Sequence, residues 1–188
     1  MNQETIDFGS RGEWRTWLLE NCRKSRGVWL VFYRKSETTG PVRLRYAEAR
    51  DEALCFGWID SMVRRMDDLR IRHYFSPRRE RSLWSKFNKN KIEELIEQNL
   101  MTEWGLETIK KAKSNGSYFT LDPVEDLYLP PDLAEALARD ARAEAIFEKL
   151  ARSRKKVLLY QLIILKTPEG RGRKIKLLLE DLLRNQKL

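Results

Sequence analysis

The sequence predicts an α+β fold, a small antiparallel or mixed sheet with flanking helices, followed by an all-helical C-terminal part. Three observations carry this. All six Trp fall before residue 105, as expected where large aromatics build the core of a sheet-containing domain. Runs rich in β-branched and aromatic residues stand at Val28–Tyr33 and on either side of Asp67-Asp68. Near the C-terminus the apolar spacing becomes helical, most clearly at Ile175, Leu178, Leu179 and Leu182. The expected organisation is a core domain over residues 1–122 and a helical extension over 123–188 packed on it.

Each element has a local reason. Ser10 and Glu13 have capping-box spacing and precede Trp14, Trp17, Leu18 and Cys22 at helical intervals, which predicts a helix over 11–25 ended by Gly27. Val28–Tyr33 reads as a strand, and residues 36–42, with Thr-Thr-Gly-Pro, as a loop. A second helix over 46–56 closes at Gly57. Asp60–Met66 and Leu69–Ser76 then form a hairpin, with Leu69, Ile71, His73 and Phe75 on one face and Arg70, Arg72 and Tyr74 on the other. Pro77 stops its second strand. A helix starts between Ser82 and Ser85 and runs to about Asn99, and Thr102 caps another that reaches Lys113. Residues 114–131, with Gly116, Pro123, Pro130 and Pro131, read as a connecting loop. Asp132 with Glu135 suggests a second capping box and a helix to about Asp140, followed by two or three more helices.

Composition removes several function classes. Charged residues make up 35% and aromatics 10% of the 188 residues, which excludes whole-chain disorder. Two Cys and one His exclude a disulfide scaffold and a four-ligand structural zinc site. Neither common Gly-rich phosphate loop is present, nor is H-E-x-x-H or paired C-x-x-C, so no cofactor or metal is expected. The first residues lack the pattern of a secretory leader. The longest apolar stretch, Val157 to Leu165, is interrupted by Gln161 and is far shorter than the roughly 20 residues a spanning helix needs. A cytoplasmic protein with reduced Cys22 and Cys55 is therefore expected.

The net charge of +9 is unevenly spread. Residues 60–91 hold ten Lys/Arg against four Asp/Glu, and residues 152–176 hold nine against one, while the remainder is acidic. Such clusters steer anionic partners, among them nucleic acid, a phosphorylated ligand or an acidic protein, and do not choose among them. A merely solvated face is the alternative.

The densest chemistry lies in Ser76–Asn88. A helix N-terminus offers unpaired N–H groups and partial positive charge, and Arg78, Arg79, Arg81 and Lys86 surround this one. The candidate anion site is Arg78, Arg79, Ser82, Trp84, Ser85, Lys86 and Asn88, with Trp84 either stacking on a ligand or packed inward. A secondary basic patch is Arg171, Arg173 and Lys174. Asp60 is a weak acid–base candidate, and Cys55 with His73 a weak nucleophile–base pair. The competing reading of Cys55 is a small buried hydrophobe.

Asp51-Glu-Ala-Leu-Cys-Phe-Gly-Trp-Ile-Asp60, with Phe75-Ser-Pro-Arg78 and Ser82-x-Trp84-Ser-Lys-x-Asn88, resembles the YdeI/OmpD-associated, or bacteriocin-protection, family. Leu165-Lys-Thr-Pro-Glu-Gly-Arg-Gly-Arg-Lys-Ile175 is similar to that family's final motif, with Leu165, Gly170 and Lys174 departing from it. The resemblance implies a link to bacteriocin or antimicrobial-peptide resistance and assigns no catalytic residue. The residues themselves favour a non-catalytic protein that binds nucleic acid or a phosphorylated ligand. The alternatives are an enzyme on a small anionic substrate, with Asp60 as acid or base and Arg78 orienting substrate, and a protein-interaction module in envelope-stress defence.

Overall fold

The computed structural model describes residues 4–33 and 43–184, so the expected loop over 36–42 lies outside the described residues. The chain divides into two compact units, Met1–Tyr118 and Phe119–Leu188.

The first unit runs β1 (Thr5–Ile6), α1 (Arg11–Asn21), β2 (Val28–Tyr33), α2 (Tyr46–Cys55), β3 (Trp58–Arg65), β4 (Arg70–Pro77), α3 (Lys86–Glu97) and α4 (Glu103–Ser114). The strands form one mixed sheet in the order β1-β2-β4-β3. β1 pairs parallel to β2, and the other pairs are antiparallel. The two-residue β1 is too short to leave a periodic signal in the sequence. The hairpin faces follow the strand period of two. Phe75, with Val28, Leu30 and Phe32 of β2, joins Trp14, Leu18, Ala53, Leu54 and Trp58 in one buried cluster. On the opposite face the Arg72 and Arg64 guanidiniums lie 4.7 and 5.3 Å from the Trp29 ring. Asp60 pairs with Phe75 and Met62 with Tyr74, so Ser61 is the extra residue of a β-bulge.

Several polar atoms of the core are met by partners distant in the sequence. Trp14 Nε1 donates to the Ala49 carbonyl at 3.0 Å, and Trp58 Nε1 donates to the Cys22 carbonyl at 3.1 Å. Glu52 is 2% exposed, and each of its oxygens accepts from an arginine: Arg11 Nε at 2.5 Å and Arg15 Nη1 at 2.6 Å. A buried carboxylate is tolerable only when paired in this way.

Helix ends explain where expectation and structure part by a few residues. Ser10 Oγ accepts from Glu13 N, but the Glu13 carboxylate reaches Gly9 N rather than Ser10 N. Helix α1 stops at Asn21, whose side-chain Nδ2 donates back to the Trp17 carbonyl. Ser85, not Ser82, caps α3, and Thr102 caps α4.

The second unit contains α5 (Asp122–Glu125), α6 (Pro131–Ala138), α7 (Ala141–Lys149), α8 (Arg152–Ile163) and α9 (Pro168–Arg184). Leu133, Leu137, Phe147, Leu159, Leu162, Ile175, Leu178 and Leu182 make its core. The single turn α5 interrupts the expected loop over 114–131. The expected Asp132 cap is corrected. Pro130 occupies the N-cap of α6 and Pro131 its first turn, where a missing N–H costs nothing. Asp132 turns instead to Arg171. No described helix is long and apolar enough to cross a membrane.

Candidate anion-binding site

The site is built where β4 ends. Pro77 cannot continue the ladder. The next residue, Arg78, is still held by its backbone N–H, which donates to the Gly57 carbonyl at 2.9 Å. The chain then turns through Arg79, Glu80 and Arg81, closed by Ser82 N donating to the Arg79 carbonyl at 2.9 Å. Asn115 Nδ2, just past α4, donates to the Glu80 carbonyl at 2.8 Å and ties this turn to the helix end.

Between turn and helix lies a cleft of about 300 Å³, lined by Arg78, Arg79, Glu80, Trp84, Thr108, Lys111 and Ala112. Arg78 is its most unusual member, since the residue is only 9% exposed. Its plane stacks 3.8 Å above Trp84, and Nη1 donates to the Leu83 carbonyl at 3.1 Å and Ser82 Oγ at 3.4 Å. Nε and Nη2 are buried with no hydrogen-bond partner. In a planar guanidinium these two N–H groups lie on one edge and point the same way, the edge that grips a carboxylate or phosphate in two parallel bonds. Burial pushes Arg78 down to about 10, with the Asp60 carboxylate acting in the opposite sense, so it keeps its charge at neutral pH.

The wall opposite Arg78 is fixed by two close approaches. A Cβ on Gly105 would meet the Cys55 carbonyl oxygen at 2.3 Å, and one on Gly57, where φ is +73°, would meet Thr108 Oγ1 at 2.3 Å. Thr102 adds two bonds to the same Cys55 carbonyl, from its backbone N at 3.1 Å and its hydroxyl at 2.7 Å. Helix α4 thus seats tightly on the end of α2, and Thr108 and Lys111 face the cleft from a fixed helix.

Of the residues singled out in sequence, Arg78, Arg79 and Trp84 line the cleft. Ser82, Ser85, Lys86 and Asn88 do not. Ser85 Oγ accepts from Asn88 N at 3.3 Å, so its hydroxyl serves the helix it caps, and Lys86 is exposed. The site therefore sits beside the turn rather than at the helix N-terminus. Trp84 is 2% exposed, with the Tyr118 ring 5.4 Å from it, so it backs the guanidinium and does not present a face for stacking. Thr108 and Lys111 escape sequence reasoning because they lie some thirty positions away on a helix whose spacing of Gly105, Ile109 and Ala112 marks a family resemblance and no binding chemistry.

The other candidates have local partners. Arg171 places Nε and Nη2 on the two Asp132 oxygens at 2.8 and 2.9 Å and Nη1 on the Leu162 carbonyl, so its fork is occupied inside the second unit. Arg173 is exposed, and Lys174 lines only a gap of about 40 Å³ between α8 and α9. Asp60 Oδ2 accepts from the Tyr46 hydroxyl at 2.9 Å, and His73 Nδ1 stands 3.9 Å away, an ion-pair rather than a hydrogen-bond distance. His73, and with it the Tyr46 hydroxyl, holds the Asp60 carboxyl below its ordinary value against the raising effect of burial. Burial, followed by the Asp60 carboxylate, pushes Tyr46 up to about 12. Cys55 is fully buried, and burial, with the charge of Glu52, pushes its thiol up to about 11. That is the opposite of an activated nucleophile. His73 packs on Phe32 and Tyr46. Among the described residues no group of His, Cys, Asp and Glu is arranged to hold a metal.

Comparison with family models gives two matches. Residues 6–108, more than half of the chain and including the whole wall of the cleft up to Thr108, match a family described as a domain of unknown function, DUF8412. Residues 126–185 match the family described as bacteriocin-protection, YdeI or OmpD-associated, and that span includes the motif over 165–175. Neither the curated proteins nor the solved structures return a match.

Proposed function

The chain belongs to the DUF8412 family and carries a bacteriocin-protection, YdeI or OmpD-associated segment, descriptions that specify no reaction, and from the cleft itself we propose a non-catalytic protein that binds a small anion through carboxylate or phosphate oxygens. One observation carries this reading: Arg78 is among the residues that line the cleft, and its Nε–Nη2 edge is buried, charged and without an acceptor. A buried donor without an acceptor costs about 1–3 kcal/mol, so an anion that meets both is rewarded twice. The volume, about 300 Å³, stands at the small end of the range for small-molecule sites. Asp60, the acid–base candidate, is not part of the lining, which favours binding over catalysis.

The test is thermal shift and calorimetry with inorganic phosphate and small carboxylates on wild type and Arg78→Lys. Lysine keeps the charge and loses the fork. Saturable stabilisation of wild type that falls at least about tenfold in affinity in the variant supports the reading. Equal binding by both proteins, or binding by neither, overturns it. Labelled oligonucleotides across a salt series separate a nucleic-acid surface, whose affinity falls steeply with salt, from this cleft.

A further inference from the structure

The charges around the cleft narrow the ligand further. Lys111 is matched within its own helix by Glu107 at 2.8 Å. Arg79 and Glu80 line the cleft, are exposed, and have no ion-pair partner among the described residues. The charges left for a ligand are thus the buried Arg78 edge, one exposed guanidinium and one exposed carboxylate. A second acceptor is at hand, because the Thr108 hydroxyl donates to the Trp104 carbonyl at 2.9 Å and so turns its lone pairs outward from that bond.

Resting on the anion-binding reading above, we infer that the ligand is a small zwitterion, a carboxylate carrying an ammonium group, of the class of free amino acids. The available donors on Arg78 number two, because Nη1 is already engaged. Two parallel donors are fully used by the two coplanar oxygens of a carboxylate, whereas phosphate leaves oxygens to be met elsewhere. Glu80 in the same lining offers an ammonium group a partner that phosphate cannot use, while Arg79 adds a second cation for the carboxylate end. A site for phosphate alone gains nothing from a carboxylate on its wall. The apolar lining residues are only Trp84 and Ala112, which suits a ligand recognised by its charged ends.

The experiment uses the full chain at neutral pH and low salt. Thermal shift ranks the common amino acids, their matched deaminated carboxylates, their matched decarboxylated amines and inorganic phosphate, and calorimetry then measures the best amino acid with its two matched analogues. The expected order is amino acid first, its carboxylate analogue weaker by about tenfold, and the amine weaker still, since each lost end removes a charge-assisted bond. In Glu80→Gln the amino acid should fall to the level of the carboxylate, while phosphate gains. Carboxylate or phosphate binding as tightly as the amino acid, still dependent on Arg78, overturns the zwitterion and leaves the anion site standing. No binding of any probe overturns both.

Discussion

Replacing Arg78 with Met asks whether the buried guanidinium serves a ligand or the fold. The substitution removes two buried donors that lack acceptors, Nε and Nη2, each costing about 1–3 kcal/mol. It also removes the bond to the Leu83 carbonyl and the stacking 3.8 Å above Trp84, worth about 1.5–3 and about 0.5–2 kcal/mol. A relief of about 2–6 kcal/mol thus faces a loss of about 2–5 kcal/mol, and the flexible Met side chain fills much of the vacated volume. The ligand-free variant should match wild type to within about 1 kcal/mol, far from the usual cost of a buried change. Urea unfolding followed by Trp emission is the assay, since all six Trp lie within Met1–Tyr118 and report on that unit. The midpoint is read rather than the amplitude, because Trp84 loses its cation. A loss above about 3 kcal/mol refutes the reasoning, for it would make Arg78 a structural keystone like one member of a buried ion pair.

Three further predictions follow from the same geometry. Gly105→Ala sets a methyl against the Cys55 carbonyl oxygen, 2.3 Å from the ideal Cβ position, and should destabilise the first unit by about 1–3 kcal/mol in the same urea experiment. Asp60 has a depressed folded-state pKa, so its contribution is present above the unfolded value, near 4, and is lost as pH falls through the folded value. Asp60→Asn should therefore lose less stability than wild type on acidification below about pH 5, as read from thermal midpoints across a pH series. Cys22 and Cys55 are both buried free thiols, and a thiol reagent should modify neither at neutral pH in the native state and both in denaturant; rapid native labelling of Cys55 would contradict its burial.

Legibility in the sequence followed the range of the interactions. β2 is read to the residue, because a run of β-branched and aromatic side chains is a local signal. The α4 cap at Thr102 and the two hairpin faces were equally local. Asp132 misled for a physical reason: its spacing to Glu135 imitates a capping box, yet Pro130 takes the N-cap and the carboxylate pairs with Arg171, more than thirty residues later. Arg78 and Arg79 stood out because charge density is visible in one dimension. That Nε and Nη2 of Arg78 lie buried without an acceptor, while the comparable atoms of Arg171 are met by Asp132, depends on tertiary partners that no local pattern encodes.

The seating of α4 divides the cleft into parts with different freedom to change. Arg78 on Trp84, and Thr108 against Gly57, form a floor whose atoms are also part of the packed interior. Arg79, Glu80 and Lys111 form a rim of exposed side chains. Substitutions at Gly57 or Gly105 disturb the seating of α4, whereas substitutions on the rim alter only the charge presented at the cleft mouth. On the proposed reading, changes at positions 79, 80 and 111 would alter which small ion the cleft prefers while the Arg78 edge beneath them stays the same, so one scaffold could be retuned without being rebuilt.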